Sequence, residues 1–244
     1  LIINKPIDLC VVVPVYNESS VLNQFASDWI EELRKLKISF IIHFLDDGST
    51  DSSWQVLEEI SVTYPEARIC RHKNIGHGPT ILKGYHSSLD SRWILQLDSD
   101  HEIEPKIFFN FWENRFEYDM VIGKRQRERN ISLFRKILSK VSTFLVQYLF
   151  GGVIEDANCP FRLMNSKCVK NYLRYIPNNC FAPNLLLTSQ FVYFKKNILT
   201  INSNVTVEKR KIRKGFSLRM MLGGFLSICC LIKLKINLLL NSSK

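Results

Sequence analysis

The sequence predicts an α/β fold built on a largely parallel sheet with helices on both faces. Three observations carry that expectation. Apolar, β-rich runs at 9–15, 40–45 and 93–98 alternate with helix-periodic segments, the pattern of consecutive β-α units. The run at 9–15 is continuously apolar, as in a strand covered on both faces, and Trp93-Ile94-Leu95 alternates into Leu97. Each also ends in an acid-bearing polar loop, and open α/β sheets bind ligands beyond the carboxyl ends of their strands.

LCVVVPV (9–15) is the first strand, and Tyr16-Asn17-Glu18-Ser19-Ser20 the loop that starts a helix over about 20–36. Val21, Leu22, Phe25, Trp29 and Leu33 recur there at helical spacing, which predicts one buried stripe. A second strand, Phe40 to Leu45, leads into DDGSTD, where Ser49 or Asp51 is placed to cap a helix over 52–63. Ala67–Arg71 reads as a short third strand, and NIGHGP (74–79) as a turn-rich loop before a helix reaching Leu89. Next comes the strand 93–98, then an aromatic helix over 105–116 and a strand at 120–123. Ile131 to Leu149 is amphipathic and flanked by Arg135, Lys136 and Lys140. Core packing and an interfacial position at a membrane are both open for that helix. IEDANCPFRLM (154–164) reads as a turn, 166–174 as a helix, and 183–203 as a strand followed by a helix. Met220–Ile232 is apolar but only 13 residues long before Lys233, which suits an interfacial or packed helix better than a span of about 20 residues.

The net charge of +10 conceals two opposed halves. Residues 1–120 hold 11 Lys/Arg against 19 Asp/Glu, whereas residues 121–244 hold 22 against 4. A basic half points to phosphate groups on the partner. The organisation expected is a domain over 1–217, with a nucleotide-binding half (1–120) and an acceptor half (121–217), followed by an apolar, basic helix over 218–244. Seven cysteines without a C-x-x-C pair, and no secretory signal read in the chain, predict reduced thiols in a cytoplasmic protein.

WILQLDSDHE (93–102) carries most of the chemistry. If the chain stays extended, Asp98, Asp100 and Glu102 share one face. Three carboxylates so placed repel one another, and a divalent cation with oxygen ligands, Mg²⁺ or Mn²⁺, relieves that. Asp156 and the basic residues of the second half complete the set of candidate groups.

Four motifs in order, PVYNE (14–18), LDDGSTD (45–51), NIGHGPTILKGY (74–85) and LDSDHEIEP (97–105), resemble the family 2 glycosyltransferases. VIGKRQRERN, EDANCPFRLMN and VEKRKIRKGFS extend the likeness to the subgroup that transfers a sugar to a polyprenyl phosphate, the dolichyl-phosphate mannosyltransferase kind. Pro160 stands where that subgroup has Gly, and Ile212, beside Arg213, where it has Arg. The resemblance implies a GT-A type nucleotide-sugar-binding sheet with a basic, amphipathic C-terminal part. Pro14, Tyr16 and Glu18 would line the base and ribose pocket, and Asp47, supported by Asp46, would read the base or ribose. Asp98 would contact ribose or metal, Asp100 would be the principal metal ligand, and Glu102 takes a position that often carries Gln. Asp100, Arg125 and Asp156 form the implied catalytic set. Arg127, Arg162, Arg210, Arg213, Lys214 and Ser217 form the implied acceptor-phosphate site.

The donor would be a UDP- or GDP-sugar and the acceptor a polyprenyl phosphate or a glycan. The enzyme would sit in the cytoplasm, peripherally on the inner face of the membrane. A lipid phosphate attacks as an anion and needs cations, whereas a sugar hydroxyl needs a carboxylate base, for which Asp156 is the candidate. Asp156 as a turn cap or as a partner of Arg162 is the structural alternative. A nucleotidyltransferase would carry a Gly-rich basic loop where this chain has YNESS. A nucleic-acid module would show interleaved aromatics and a binding motif; nucleic acid is not expected as a partner. A non-catalytic module on an anionic membrane is the reading from another class.

Overall fold

A computed structural model of the chain describes residues 7–125, 133–203 and 218–242. In chain order the elements are β1 (Leu9–Val15), α1 (Leu22–Lys35), β2 (Phe40–Asp46), α2 (Ser53–Thr63), β3 (Ala67–Arg71), α3 (His77–Ser87) and β4 (Trp93–Gln96). They continue with α4 (Phe108–Glu113), β5 (Met120–Arg125), α5 (Leu133–Phe150), β6 (Arg162–Asn165), α6 (Ser166–Leu173), α7 (Pro183–Tyr193), β7 (Ile198–Ser203) and α8 (Leu218–Ser242). The strands form one seven-stranded sheet in the order β3-β2-β1-β4-β6-β5-β7. β6 runs antiparallel to both its neighbours, and the other pairings are parallel.

Residue alternation distributes the strands between two cores. Leu9, Val11, Val13 and Val15 face one layer with α1, α2 and α4, where Phe25, Trp29, Phe108, Phe111 and Phe161 pack together. Val12, Ile94, Met120 and Met164 face the other, with residues of α3, α5, α6, α7 and α8. Helix α7 is buried on all sides from Pro183 to Phe191, which explains a composition with no polar face. All seven cysteines are free thiols.

Several boundaries differ from expectation, each for a physical reason. The strand at 93–98 stops at Gln96, and the helix at 105–116 is a short α-helix between two 3-10 turns. The 154–164 turn ends in a strand, β6, and 183–203 runs helix then strand. A strand of four residues that opens on arginine carries no periodic signal. Of the two cap candidates, Asp51 accepts from the Ser53 amide (3.0 Å), whereas the Ser49 hydroxyl is engaged by the Asn17 amide (3.0 Å). Helix α8 is longer than its charge-free run, and Leu222–Asn241 is long and apolar enough to cross a membrane by length and composition. One stripe of it is packed against the protein: Gly223, Gly224, Ser227, Leu231, Leu234 and Leu238 are buried.

The seat of α3 on β1 is set by Gly84. A Cβ at that position would lie 2.3 Å from Val12 Cγ1, so the helix approaches the strand as only glycine permits. Gly84→Ala is expected to lower stability by about 1–3 kcal/mol, read from urea unfolding, and Val12→Ala in the same chain to recover part of that loss.

Candidate active site at the carboxyl edge of the sheet

β1 lies between β2 and β4, so the order of strands reverses beside it. A crevice forms at such a switch point, and the loops after β1, β2 and β4 meet there. Hydrogen bonds lace the loops after β1 and β2 together. Asn17, in the left-handed region at φ 57, accepts from the Thr50 amide at 2.8 Å, and the Glu18 amide donates to Ser53 Oγ at 2.9 Å. The Ser19 amide reaches Asp51 Oδ2 at 3.2 Å. Tyr16 is 41% exposed, Pro14 is buried in β1, and Glu18 is half-buried.

The two aspartates that end β2 face inward. Asp46 is fully buried, accepts from the Ser49 amide (3.0 Å) and pairs with Arg71 Nε (3.1 Å). Asp47 accepts from the backbone amides of Ile75 (2.7 Å) and Gly76 (3.0 Å), with His72 Nδ1 at 3.5 Å. These carboxylates hold the β2 and β3 loops against each other. Gly48 makes the crossing possible: its φ is +70, and a Cβ there would sit 2.7 Å from the Asn74 nitrogen.

Beyond β4 the backbone is not extended. Residues 99 and 100 form a turn, and His101 has φ 58. The alternation expected to put Asp98, Asp100 and Glu102 on one face therefore fails, because period 2 holds only in a strand. Asp98 Oδ1 accepts from Gln96 Nε2 (3.2 Å) and lies 3.7 Å from His77 Nε2. Asp100 Oδ1 accepts from the Glu102 amide at 3.3 Å. His101 turns the other way, to Asp28 Oδ2 at 3.0 Å. His77 is thus beside Asp98, because α3 begins at His77 rather than after Pro79. Among the described residues, no group of three His, Cys, Asp or Glu side chains could hold a metal ion by itself. Asp98 and Asp100 are hard oxygen donors that fit Mg²⁺ or Mn²⁺, since such ions take one or two carboxylates and complete their shell with phosphate and water.

The second half reaches the same edge through β6. Because β6 is antiparallel, its first residue, Arg162, is registered opposite Gln96 of β4 and Ile122 of β5. Asp156 lies half-buried in the loop before it and accepts from the Asn158 amide (3.3 Å); the preceding Glu155 pairs with Lys124 Nζ.

Arg162 departs most from its expected role. It is fully buried, and its five N–H groups donate to Cys159 O from both Nε and Nη2, to Ala157 O, to Asn184 O and to Thr188 Oγ1. An arginine has no more donors than these, so here it clasps the 157–159 turn to α7 rather than facing an acceptor. The backbone of Arg125 closes β5, but its side chain, and all of Arg127, Arg210, Arg213, Lys214 and Ser217, lie outside the described residues.

Arg162→Lys tests that assignment. Lysine keeps the charge but has three donors, so the variant is expected to lose about 1–3 kcal/mol for each carbonyl left unpaired, measured by urea unfolding. A surface phosphate ligand would tolerate the change with unaltered stability.

Comparison with known proteins agrees with this geometry. The model of "Glycosyl transferase family 2" matches residues 10–173. An undecaprenyl-phosphate 4-deoxy-4-formamido-L-arabinose transferase of Proteus mirabilis is 29% identical over 188 residues, 76% of this chain and 56% of the relative. The chain spans about half the length of such curated relatives. Among solved structures, mannosyl-3-phosphoglycerate synthase from Rubrobacter xylanophilus aligns with a TM-score of 0.64 at 10% identity, covering 97% of this chain and 75% of the other. Glucosyl-3-phosphoglycerate synthase from Mycobacterium tuberculosis in complex with UDP aligns at 0.58 with 15% identity, covering 94% and 80%. At those identities the structures speak to the fold, the GT-A type. With two-thirds of its length matched by the family model and the sheet-edge motifs in place, the chain belongs to glycosyl transferase family 2.

Proposed function

We propose that the protein transfers a sugar from a nucleotide-sugar donor to a polyprenyl-phosphate acceptor, with inversion at the anomeric carbon. The observation that carries this reading is the meeting of three carboxylate-bearing loops at the switch point beside β1. Such a crevice suits a nucleoside diphosphate held between loop backbones and, through a cation, carboxylates. The acceptor class comes from the relatives, whose names specify undecaprenyl phosphate.

Tyr16 and Glu18 flank the donor pocket, on a loop held by Asn17, Thr50 and Ser53. Asp46 and Asp47 act by fixing the shape of that pocket from below. Asp98 and Asp100 would hold Mg²⁺ or Mn²⁺, which would supply positive charge to offset the negative charge developing on the departing diphosphate. The acceptor phosphate oxygen forms its bond to the anomeric carbon as the bond from that carbon to the diphosphate oxygen breaks, and the nucleoside diphosphate leaves with the electron pair. The nucleophile is already an anion, so no base is required. Arg125, Arg127, Arg210, Arg213, Lys214 and Ser217 are the groups assigned to draw it in, since guanidinium and ammonium groups pair strongly with phosphate. Asp156 would serve as base only for a hydroxyl acceptor.

Transfer should therefore be metal-dependent. A screen of UDP- and GDP-sugars with polyprenyl phosphate, and Mg²⁺ or Mn²⁺, is expected to find one productive donor, and Asp100→Ala to lose at least about 100-fold in turnover. Failure of every nucleotide sugar to bind would overturn the reading. Asp156→Asn should leave turnover within a few-fold with the phosphate acceptor; a collapse would assign a hydroxyl acceptor instead.

An enzyme that works on a lipid acceptor would meet it at a membrane face, and the position proposed is peripheral, on the cytoplasmic side. Helices α5 and α8 pack on each other and leave Ile137, Phe144, Tyr148, Phe225, Leu226, Ile236 and Leu240 exposed. Lys140 and Lys233 are exposed among them, and apolar area rimmed by cations suits an anionic interface. Co-sedimentation with phosphatidylglycerol vesicles should fall at least about tenfold in Phe144→Asp/Phe225→Asp, as two apolar anchors are exchanged for like-charged groups; unchanged binding would remove this face from membrane contact.

A further inference from the structure

Below Asp98 lies a line of buried side chains that donor chemistry alone does not require. Tyr85 of α3 is fully buried, and its hydroxyl donates to Asn184 Oδ1 at 2.6 Å. Asn184, on the first turn of α7 and 4% exposed, donates from Nδ2 to Gln96 Oε1 at 2.8 Å. Gln96, the last residue of β4 and fully buried, donates from Nε2 to Asp98 Oδ1 at 3.2 Å. Three elements distant in sequence thus contribute one hydrogen-bonded chain, and every member donates toward the carboxylate.

The direction of the chain is fixed from both ends. A carboxylate only accepts, so it draws the Gln96 NH₂. Burial pushes the Tyr85 hydroxyl pKa well above its usual range, which keeps the phenol proton available at the far end. That proton selects the oxygen of the Asn184 amide, which turns the Asn184 NH₂ to Gln96. Gln96 must then present its own NH₂ to Asp98. Arg162 holds the same stretch of α7 through the Asn184 backbone carbonyl (3.0 Å) and Thr188 Oγ1 (2.9 Å), so the backbone that carries the Asn184 amide is anchored by a buried guanidinium. A flip of the Gln96 amide would set carbonyl against carboxylate, and a flip of the Asn184 amide carbonyl against carbonyl.

We propose that Tyr85, Asn184 and Gln96 are positioning residues for Asp98, presenting one carboxylate oxygen to their donor chain and leaving the other toward the donor crevice. The inference rests on the reading of Asp98 as part of the metal and nucleotide site. It adds a reason for polar residues in the core of α7, and it joins the acceptor half of the chain to the donor site through buried side chains.

The test is Mn²⁺ binding followed by electron paramagnetic resonance, with UDP and separately with GDP present, on the full chain. Gln96→Glu keeps the shape but removes the donor to Asp98, and is expected to weaken Mn²⁺ binding about tenfold or more, the scale of lost outer partners at metal sites. Tyr85→Phe removes only the distal hydroxyl and is expected to weaken it a few-fold; it carries the test if Gln96→Glu does not fold. In an Asp98→Asn background each change should add less than about twofold, because a residue acting through Asp98 has nothing left to position. Losses that multiply in full in that background would show general damage and overturn the proposal. Normal Mn²⁺ binding in both variants, with Asp98→Asn impaired, would overturn the positioning role and leave the donor-site reading standing. No Mn²⁺ binding by the unaltered protein with either nucleotide, or unchanged binding in Asp98→Asn, would overturn both.

Discussion

A guanidinium sealed from water must be given an acceptor for every N–H, because removing such an ion from water costs several kcal/mol if it is left unpaired. Arg162 occupies that position at the start of β6. Its acceptors are carbonyls of the 157–159 turn and of Asn184, together with the Thr188 hydroxyl. Those groups come from a loop and from a helix that follow different strands. Meeting the demand of one side chain therefore fixes where α7 begins, how the turn before β6 folds back, and how β6 enters between β4 and β5. The Asn184 side chain, brought into place by the same turn of α7, then reaches Gln96 on the neighbouring strand.

The donor side is held by a different device. Each carboxylate near the switch point has its own local partner: Asp46 has Arg71, Asp47 two backbone amides, and Asp98 the Gln96 amide with His77 nearby. Distributing partners in this way avoids the mutual repulsion that several like charges on one sheet edge would otherwise produce. It also fixes the loops from inside. The hydrogen bonds between the Asn17 and Thr50 loops, and between Asp47 and the Ile75–Gly76 amides, link neighbouring turns into one rim. A rim cross-linked in this way would lower the ordering cost of binding a ligand at that edge.

What the sequence made legible follows the same division. β1, fully buried, announced itself as an unbroken apolar run, β2 as an apolar run interrupted only by His43, and the helix carrying Phe25 and Trp29 as a stripe at 3.6 spacing. The acid loops were visible because Asp and Gly occupy strand ends for reasons local to the backbone. Arg162 shows where such reading stops. No periodicity distinguishes a charged residue bound for the core from one at the surface, since the distinction lies in Ala157, Asn184 and Thr188, up to 26 residues away. The failed alternation at Asp98–Glu102 has a comparable cause: His101 takes a left-handed conformation and pairs with Asp28 on α1, a contact between segments 73 residues apart.

The opposed charges of the two halves acquire a location once the sheet is assembled. The acidic half contributes β1 to β4, and Asp46, Asp47 and Asp98 lie at the carboxyl ends of β2 and β4. The basic half contributes β5 and β7, which run parallel to each other and end at the same edge, because β6 alone reverses. One short antiparallel strand thus brings strand ends from both halves of the chain to the edge that carries these carboxylates. Under the proposed function a diphosphate would be bound there through a cation, while the acceptor phosphate would be drawn in by cationic groups of the second half. Holding two anions in reacting distance is the electrostatic difficulty such a transfer would face. Binding one through a cation and the other through cationic side chains would reduce it, where a uniformly basic cleft would bind both without ordering them.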